Sequence, residues 1–176
     1  MKTQIITLFI SLICFGNINA QDFPKVDVSA MDAHILRTDD GKSFMRVIYS
    51  RPQKKGRDVF GELVPYGKVW RTGANEATEI TFYENVNFGG KEIKAGTYSL
   101  FTIPNQENWT IILNKELNQW GAYRYDESKD VARVEVKTMK TAADVETFSM
   151  TTRKLKDGVY GLLLAWDDTY VEIPVM

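Results

Sequence analysis

The sequence predicts an all-β protein: a mainly antiparallel two-sheet β-sandwich of about nine to eleven strands with one long irregular loop. Short runs rich in β-branched and aromatic residues recur along the chain, separated by turns that contain glycine, asparagine, aspartate or proline. No segment has the dozen or more helical residues that connect parallel strands. The strand order stays open between jelly-roll and Greek-key-like arrangements.

Residues 1–20 are predicted to be a cleavable secretory signal peptide. Lys2 precedes an apolar run over 5–15, which is too short to span a bilayer, and a polar stretch ends at Ala20. A retained anchor and lipidation at Cys14 are the alternatives. We expect a single β-sandwich domain over 21–176, periplasmic or secreted, with no transmembrane segment after cleavage.

Composition restricts the partners of this domain. Cys14 is the only cysteine in the chain, so the exported part folds without disulfides. Without Lys2 that part carries 21 basic and 23 acidic side chains, and its longest basic cluster is Lys54-Lys55. Nucleic acids and anionic membranes require a basic surplus on one face. We therefore expect no nucleic-acid partner.

The first predicted element is a hairpin, and a long loop follows it. Alternating runs over 31–37 and 43–50 flank the turn sequence Thr38-Asp39-Asp40-Gly41. The next segment, 51–78, contains glycines and prolines but no sustained strand pattern. Long irregular segments inside a compact domain are uncommon and often functional.

Strand signals return after this loop. The run over 131–139 has the clearest alternation, with Ala132, Val134 and Val136 on one face, and the run over 159–166 is almost wholly apolar, as expected of a central strand. A short helical turn is expected near 116–119. The predicted strands are Thr78–Tyr83, Lys91–Ile93, Thr97–Ile103, Trp109–Asn114, Val131–Met139, Val145–Arg153, Val159–Trp166 and Tyr170–Val175.

The chain lacks the residues that most catalytic and metal-binding sites require. Zinc needs several histidines or cysteines, and the exported part offers only His34, which is expected to be a half-buried structural residue. There is no G-x-S-x-G elbow to present a serine nucleophile. The acidic groups around Asp126 and at Asp167-Asp168 are interpreted as solvent-facing turns rather than calcium loops. No metal or cofactor is therefore predicted.

The segment Val69–Thr78 has two interpretations. It is either a tight turn, in which Gly73 adopts positive φ, Trp70 is anchored in the core and Arg71 pairs with an acid, or part of a binding site. Arginines near an asparagine can bind a carboxylate, sulfate or phosphate in fork geometry. The candidate ligand-binding residues in and around this loop are Arg51, Arg57, Trp70, Arg71, Asn75, Glu76 and Thr78.

A second candidate surface is the run 119–126. Trp120, Tyr123 and Asp126 combine aromatic faces, which stack on sugar rings, with a carboxylate that can accept hydrogen bonds from hydroxyl groups. Filling of the core by Trp120 and Tyr123 is the alternative. A pair of carboxylates drawn from Glu62, Glu76, Asp126 and Asp167 stays open as a catalytic arrangement.

Several runs resemble a known bacterial family. The resemblance is carried by YSRPQKKGRDVFGELVPYGKVWRTGANEATEITF, KAGTYSLFTIP, WTIILNK, QWGAYRYDESKDVARVEV and WDDTYVEIPV. Together these runs are similar to domain of unknown function family 2911, over nearly all of the exported part. The resemblance implies an exported protein and supplies neither a reaction nor catalytic residues.

These observations lead to three functional hypotheses. The first is an exported binding or structural module, rather than an enzyme, that recognises a small anionic or carbohydrate ligand at the 51–78 loop. The second is a metal-independent hydrolase or lyase in which Glu76 or Asp126 acts as general acid/base and Arg71 stabilises negative charge. The third is an envelope scaffold that binds other proteins.

Overall fold

A computed structural model describes residues 22–176, so the predicted signal peptide and Cys14 lie outside the described residues. These residues form ten strands and one short 3-10 helix, Glu127–Lys129, and the predicted all-β class is confirmed. The strands are β1 (Met31–Arg37), β2 (Ser43–Ser50), β3 (Thr78–Phe82), β4 (Val86–Phe88), β5 (Lys91–Ile93), β6 (Gly96–Pro104), β7 (Asn108–Asn114), β8 (Asp130–Lys137), β9 (Met139–Lys156) and β10 (Val159–Val175).

The strands form two antiparallel sheets, as predicted. The larger sheet has six strands in the order β1-β2-β3-β6-β7-β8, and the smaller sheet has four in the order β5-β4-β10-β9. The chain leaves the larger sheet after β3, returns at β6, and crosses again at Thr138, between β8 and β9. The irregular loop 51–77 connects β2 and β3, two paired neighbours in the larger sheet.

Local alternation placed the first hairpin and β8 correctly. β1 and β2 have the predicted bounds, and β1 is half-buried on alternate residues, as an edge strand with one wet face should be. In β8, Ala132, Val134 and Val136 are the buried residues. The periodicity of two therefore located both the strands and their inward faces.

Several details differ from the sequence prediction. β4, of three residues, was not predicted from the sequence. The segment 116–119 is not helical, and the only 3-10 turn of the described chain lies at 127–129. The two last predicted strands are one long strand, β10, whose register shifts on both sides of Asp167.

The interpretation of Asp167-Asp168 as a turn is therefore wrong, and of the two side chains only that of Asp168 is half exposed to solvent. Asp167 has φ of 56° and lies at an irregularity within β10, where it pairs with Lys54. Bulges of this kind change the direction in which a side chain points. Asp167 is consequently directed to loop 51–77 and is mostly shielded from solvent.

Aromatic side chains fill the core between the sheets on the side where loop 51–77 covers them. Trp70 of the loop packs edge-on against Phe148 of β9, at 5.0 Å between ring centroids, and stacks on Trp166 of β10 at 5.9 Å. Phe60, also from the loop, contacts Trp109 of β7 at 4.8 Å. The loop is thus fixed by large apolar groups, which bury more surface than any other side chains.

Within residues 22–176, no helix is long and apolar enough to cross a membrane.

Candidate functional site

Two of the predicted arginines stabilise the start of loop 51–77. Arg51 pairs with Asp32 at 2.9 Å and donates further hydrogen bonds to the Phe148 carbonyl and the Ser149 hydroxyl. Arg57 donates to two loop carbonyls, those of Lys54 (2.9 Å) and Gln53 (2.6 Å). Arg51 thus connects β1, the loop and β9, whereas Arg57 closes a turn within the loop.

The turn interpretation of 69–78 is correct for Trp70, and the candidate ligand-binding residue Thr78 also belongs to the turn. Trp70 is buried, and its indole Nε1 donates to the Gly73 carbonyl at 3.1 Å. Its backbone pairs with Thr102 of β6. The fully buried Thr78 hydroxyl donates to the Thr72 carbonyl at 2.6 Å. The Trp70 N–H and the Thr78 hydroxyl are thus engaged in the turn and are not available as donors to a ligand.

Arg71 is not paired with an acid as that interpretation expected. Its Nη1 donates to the Asn75 carbonyl at 3.2 Å, and its guanidinium lies 5.6 Å from the centre of the Trp120 ring. The Asn75 side chain donates to Asp27 at 3.2 Å, and Glu76 is exposed, with its backbone paired to Trp120. Hydrogen bonding to a carbonyl and packing on an aromatic face leave the positive charge of Arg71 unneutralised.

A cavity of about 420 Å³ opens beside this turn, and we call it the cationic cavity. Its floor contains Trp70 and Trp166, and its rim carries Lys55, Arg57 and Arg71. The volume lies within the usual range for small-molecule sites. The lining residues are Val28, Ser29, Pro52, Gln53, Lys55, Arg57, Leu63, Val64, Trp70, Arg71, Gly73, Ala74 and Trp166.

All the charged side chains that line the cationic cavity are positive. No carboxylate is among its lining residues in the described chain, and Lys55, Arg57 and Arg71 form no ion pair within residues 22–176. The nearby Glu146 carboxylate accepts a hydrogen bond from the Lys55 backbone N–H without lining the cavity. Clefts that carry one sign of charge over apolar walls concentrate the opposite charge.

The second predicted surface is an exposed aromatic stack. Trp120 and Tyr123 are 61% and 77% exposed, and their rings are nearly parallel, at 11° and 5.8 Å between centroids. Neither fills the core. The Asp126 side chain caps the 3-10 helix by accepting the Ser128 N–H. The pKa of the Asp126 carboxyl is lowered first by the Ser128 hydroxyl and then by this N–H.

A larger cavity, of about 550 Å³, was not predicted from the sequence, and we call it the Trp109 cavity. It lies on the other side of loop 51–77, where the β6–β7 turn, the start of β9 and the irregular part of β10 meet. Its lining residues are Asp58, Val59, Phe60, Tyr66, Asn105, Gln106, Trp109, Thr138, Met139, Lys140, Asp167, Asp168 and Thr169. The Asp167-Asp168 pair was the only sequence signal for it.

Salt bridges partly neutralise the carboxylates of the Trp109 cavity. Lys54 pairs with Asp167 and Asp144, and the hydrogen bond to Asp167 is the main cause of its raised pKa. The hydrogen bond from Lys140 lowers the pKa of Asp168. The described part of the chain contains no cluster of three His, Cys, Asp or Glu side chains that could bind a metal ion.

The fold and these cavities define a β-sandwich domain with ligand-sized cavities on both sides of one irregular loop. Residues 32–175 match the family described as Protein of unknown function (DUF2911), and the chain belongs to that family, as the resemblance implied. Searches of curated proteins and of solved structures found no match.

Proposed function

We propose that this protein is an exported β-sandwich module that binds a small organic anion in the cationic cavity. The carrying observation is that Lys55, Arg57 and Arg71 line one cavity and form no ion pair within the described residues. Their neighbours in the loop, Arg51 and Lys54, are both paired with carboxylates. The same loop thus contains paired cations that stabilise the fold and unpaired cations that face a cavity.

The floor of the cationic cavity indicates what the part of the ligand other than its anionic group is like. Trp70 and Trp166 are buried, and each indole N–H already donates to a backbone carbonyl, those of Gly73 and Glu146. They therefore offer apolar surface and no further donor. An anion with a ring or carbon chain would contact this floor while its carboxylate, sulfate or phosphate group meets the arginines.

The alternatives have weaker support. Tyr123 and Arg71 both pack on Trp120, so a sugar would have to compete with them for that ring. A general acid needs a raised pKa, and that of Asp126 is lowered, while Glu76 is exposed and lines neither cavity. A protein-binding scaffold would use the exposed Trp120–Tyr123 stack and would not need the cationic cavity.

Calorimetric titration of the mature protein with citrate, glucuronate and benzoate tests the proposal. We expect at least one anion to bind, with an affinity that falls as salt is added, and benzamide, the neutral counterpart of benzoate, not to bind. Arg71→Gln removes a charged hydrogen-bond donor worth about 1.5–3 kcal/mol, which corresponds to roughly tenfold weaker binding or more. Lys55→Gln should have a smaller effect, because Lys55 is exposed.

Lys137→Gln is the matched control, since Lys137 is an exposed lysine on β8 and lines neither cavity. Equal loss of affinity in Lys55→Gln and Lys137→Gln would indicate a general charge effect and contradict a site. Failure of all three anions to bind would reject the proposed function.

Mass spectrometry of the protein isolated from the exported fraction tests the predicted signal peptide. It should show Gln21 as the first residue, and retention of residues 1–20 would contradict cleavage.

A further inference from the structure

The chain that precedes β1 separates two cavities. Val28 and Ser29 line the cationic cavity. Val28 also lines a neighbouring cavity of about 450 Å³, together with Asp27 and Arg51. Residues 27–29 therefore form a thin wall between the two cavities, and displacement of this wall would join them.

Residues 22–29, which we call the N-terminal arm, pack little against the domain. Apart from Ser29 they are all exposed, including the large apolar side chains of Phe23, Val26 and Val28. None of them belongs to a strand or a helix. Segments with few buried contacts separate from a folded domain at a low cost in free energy. The arm can therefore move while both sheets stay folded.

One hydrogen bond attaches the arm to the turn beside the cationic cavity. The Asn75 side chain donates to the Asp27 carboxylate at 3.2 Å, and this is the arm's only hydrogen bond to the rest of the described chain. The same Asp27 oxygen accepts the Ser29 N–H at 2.7 Å, which shapes the arm next to the cavity. The Ala30 carbonyl accepts the Arg51 N–H, so the chain is joined to the domain directly after the arm.

The arm also contributes to the chemistry of the cationic cavity. The Ser29 hydroxyl has no hydrogen-bond partner within residues 22–176, and a hydroxyl can donate to an oxygen of an anion. Val28 adds apolar surface to the same wall. Asn75, by contrast, does not line the cavity. It holds in place a segment that does.

We propose that the N-terminal arm is a lid of the cationic cavity, held closed by Asn75 and stabilised in the closed position by a bound organic anion. This inference rests on the proposed anion site. A ligand that contacts Val28 and Ser29 only when the arm is closed shifts the population towards that state. Opening of the arm admits and releases the ligand, and Asn75 is a positioning residue.

Spin labels at Val26→Cys and Glu62→Cys measure the opening of the arm without any ligand. Residues 22–176 contain no other cysteine, and Glu62 is exposed and precedes Leu63, which lines the cavity. Pulsed electron paramagnetic resonance on the mature protein should give a short and a long distance between the labels. Asn75→Gly removes the hydrogen bond to Asp27 and should increase the long-distance fraction severalfold.

Asn118→Gly is the matched control for this substitution. Asn75 and Asn118 both have φ of 56°, a conformation that glycine adopts readily, and Asn118 lines neither the cationic cavity nor its neighbour. Its substitution should leave the label distances unchanged. One common distance distribution in the unmodified protein and both variants would overturn the proposal, whether or not an anion binds.

Stopped-flow tryptophan fluorescence measures the effect of the arm on ligand exchange, because Trp70 and Trp166 line the cavity. The ligand is benzoate, or whichever of citrate, glucuronate and benzoate calorimetry shows to bind. Asn75→Gly should raise both the association and the dissociation rate severalfold, whereas Arg71→Gln, which removes a contact with the ligand, should raise mainly the dissociation rate. Asn118→Gly should change neither rate.

A saturating concentration of the same anion should also reduce the long-distance fraction of the spin labels. Unchanged exchange rates in Asn75→Gly, or an anion that binds without changing the label distances, would overturn the role of the arm as a lid. Failure of every anion to bind would overturn closure by an anion together with the proposed function, and the distances without ligand would then decide whether the arm opens at all.

Discussion

Gly73 lies so close to strand β2 that a side chain there would collide with the backbone. A Cβ atom at this position would be 2.8 Å from the Ser50 carbonyl oxygen. The residues of this turn that adopt the left-handed conformation are Thr72 and Asn75, with φ of 57° and 56°. Gly73 has the positive φ expected of it, 157°, and is also required for the close approach of two chain segments.

We expect Gly73→Ala to lower the free energy of unfolding by about 3 kcal/mol, since backbone must move to relieve the contact. Gly41→Ala is the comparison, because Gly41 has φ of 84° but open space around it. Its substitution should cost only the conformational strain, about 1 kcal/mol. Urea unfolding of both variants measures the difference, and equal losses would mean that Gly73 is required for its dihedral angles alone.

One tyrosine, Tyr125, stabilises the connection between β7 and β8. The Tyr125 hydroxyl donates to Asp130 at 2.6 Å and accepts from Arg133 at 2.9 Å, while its ring packs on Phe101. Burial, and then the hydrogen bond to Asp130, raise the pKa of Tyr125 to about 12. The connection between β7 and β8 also contains Trp120 and Tyr123, so the position of the exposed aromatic stack depends on the contacts of Tyr125.

The raised pKa sets the direction of the pH dependence. The folded state binds the Tyr125 proton more tightly than the unfolded state, whose tyrosine pKa is about 10. The stabilisation is therefore complete below about pH 10 and is lost as the pH rises through the folded value of about 12. Urea unfolding measured across this window should show a smaller loss of stability for Tyr125→Phe than for the unmodified protein.

Tyr123→Phe is the matched control for this measurement. Tyr123 is exposed and has no side-chain hydrogen bond in the described chain, so its substitution should leave the alkaline dependence unchanged. If Tyr125→Phe has the same alkaline profile as the unmodified protein, the titration of Tyr125 does not contribute to stability.

The two sheets and loop 51–77 share one aromatic core, in which Phe148 is central. Phe148 of β9 is fully buried and contacts Tyr49 of β2, Trp70 of the loop and Trp166 of β10. The same side chain therefore connects the smaller sheet, the larger sheet and the floor of the cationic cavity. Because residues 22–176 contain no cysteine, this packing stabilises the domain without disulfides.

Phe148→Ala should reduce the free energy of unfolding by about 3–5 kcal/mol, through lost burial and the cavity left behind. Phe23→Ala is the control, because Phe23 is 75% exposed, and it should change stability by less than about 0.5 kcal/mol. Thermal and urea unfolding measure both effects. A small effect of Phe148→Ala would show that the sheets are held together elsewhere.

Much of the strand arrangement could be predicted because strand signals are local. The bounds of β1 and β2 and the inward residues Ala132, Val134 and Val136 follow from the alternation of neighbouring side chains. The candidate site was predicted only as a region. Arg51, Arg57 and Arg71 have similar local contexts, and nothing near them in the chain shows which of them meets a carboxylate.

The amino-acid sequence alone determined the fold class and the lack of disulfides within residues 22–176, because these depend on residue type and short-range pattern. The tertiary structure decided which charged side chains at each cavity are neutralised by ion pairs. Arg51 pairs with Asp32, 19 positions away, and Lys54 with Asp167, 113 positions away. Within residues 22–176 it also left the buried indole N–H of Trp109 without an acceptor. Ion pairing and burial arise between distant segments, so only folding determines which polar groups remain available to a ligand.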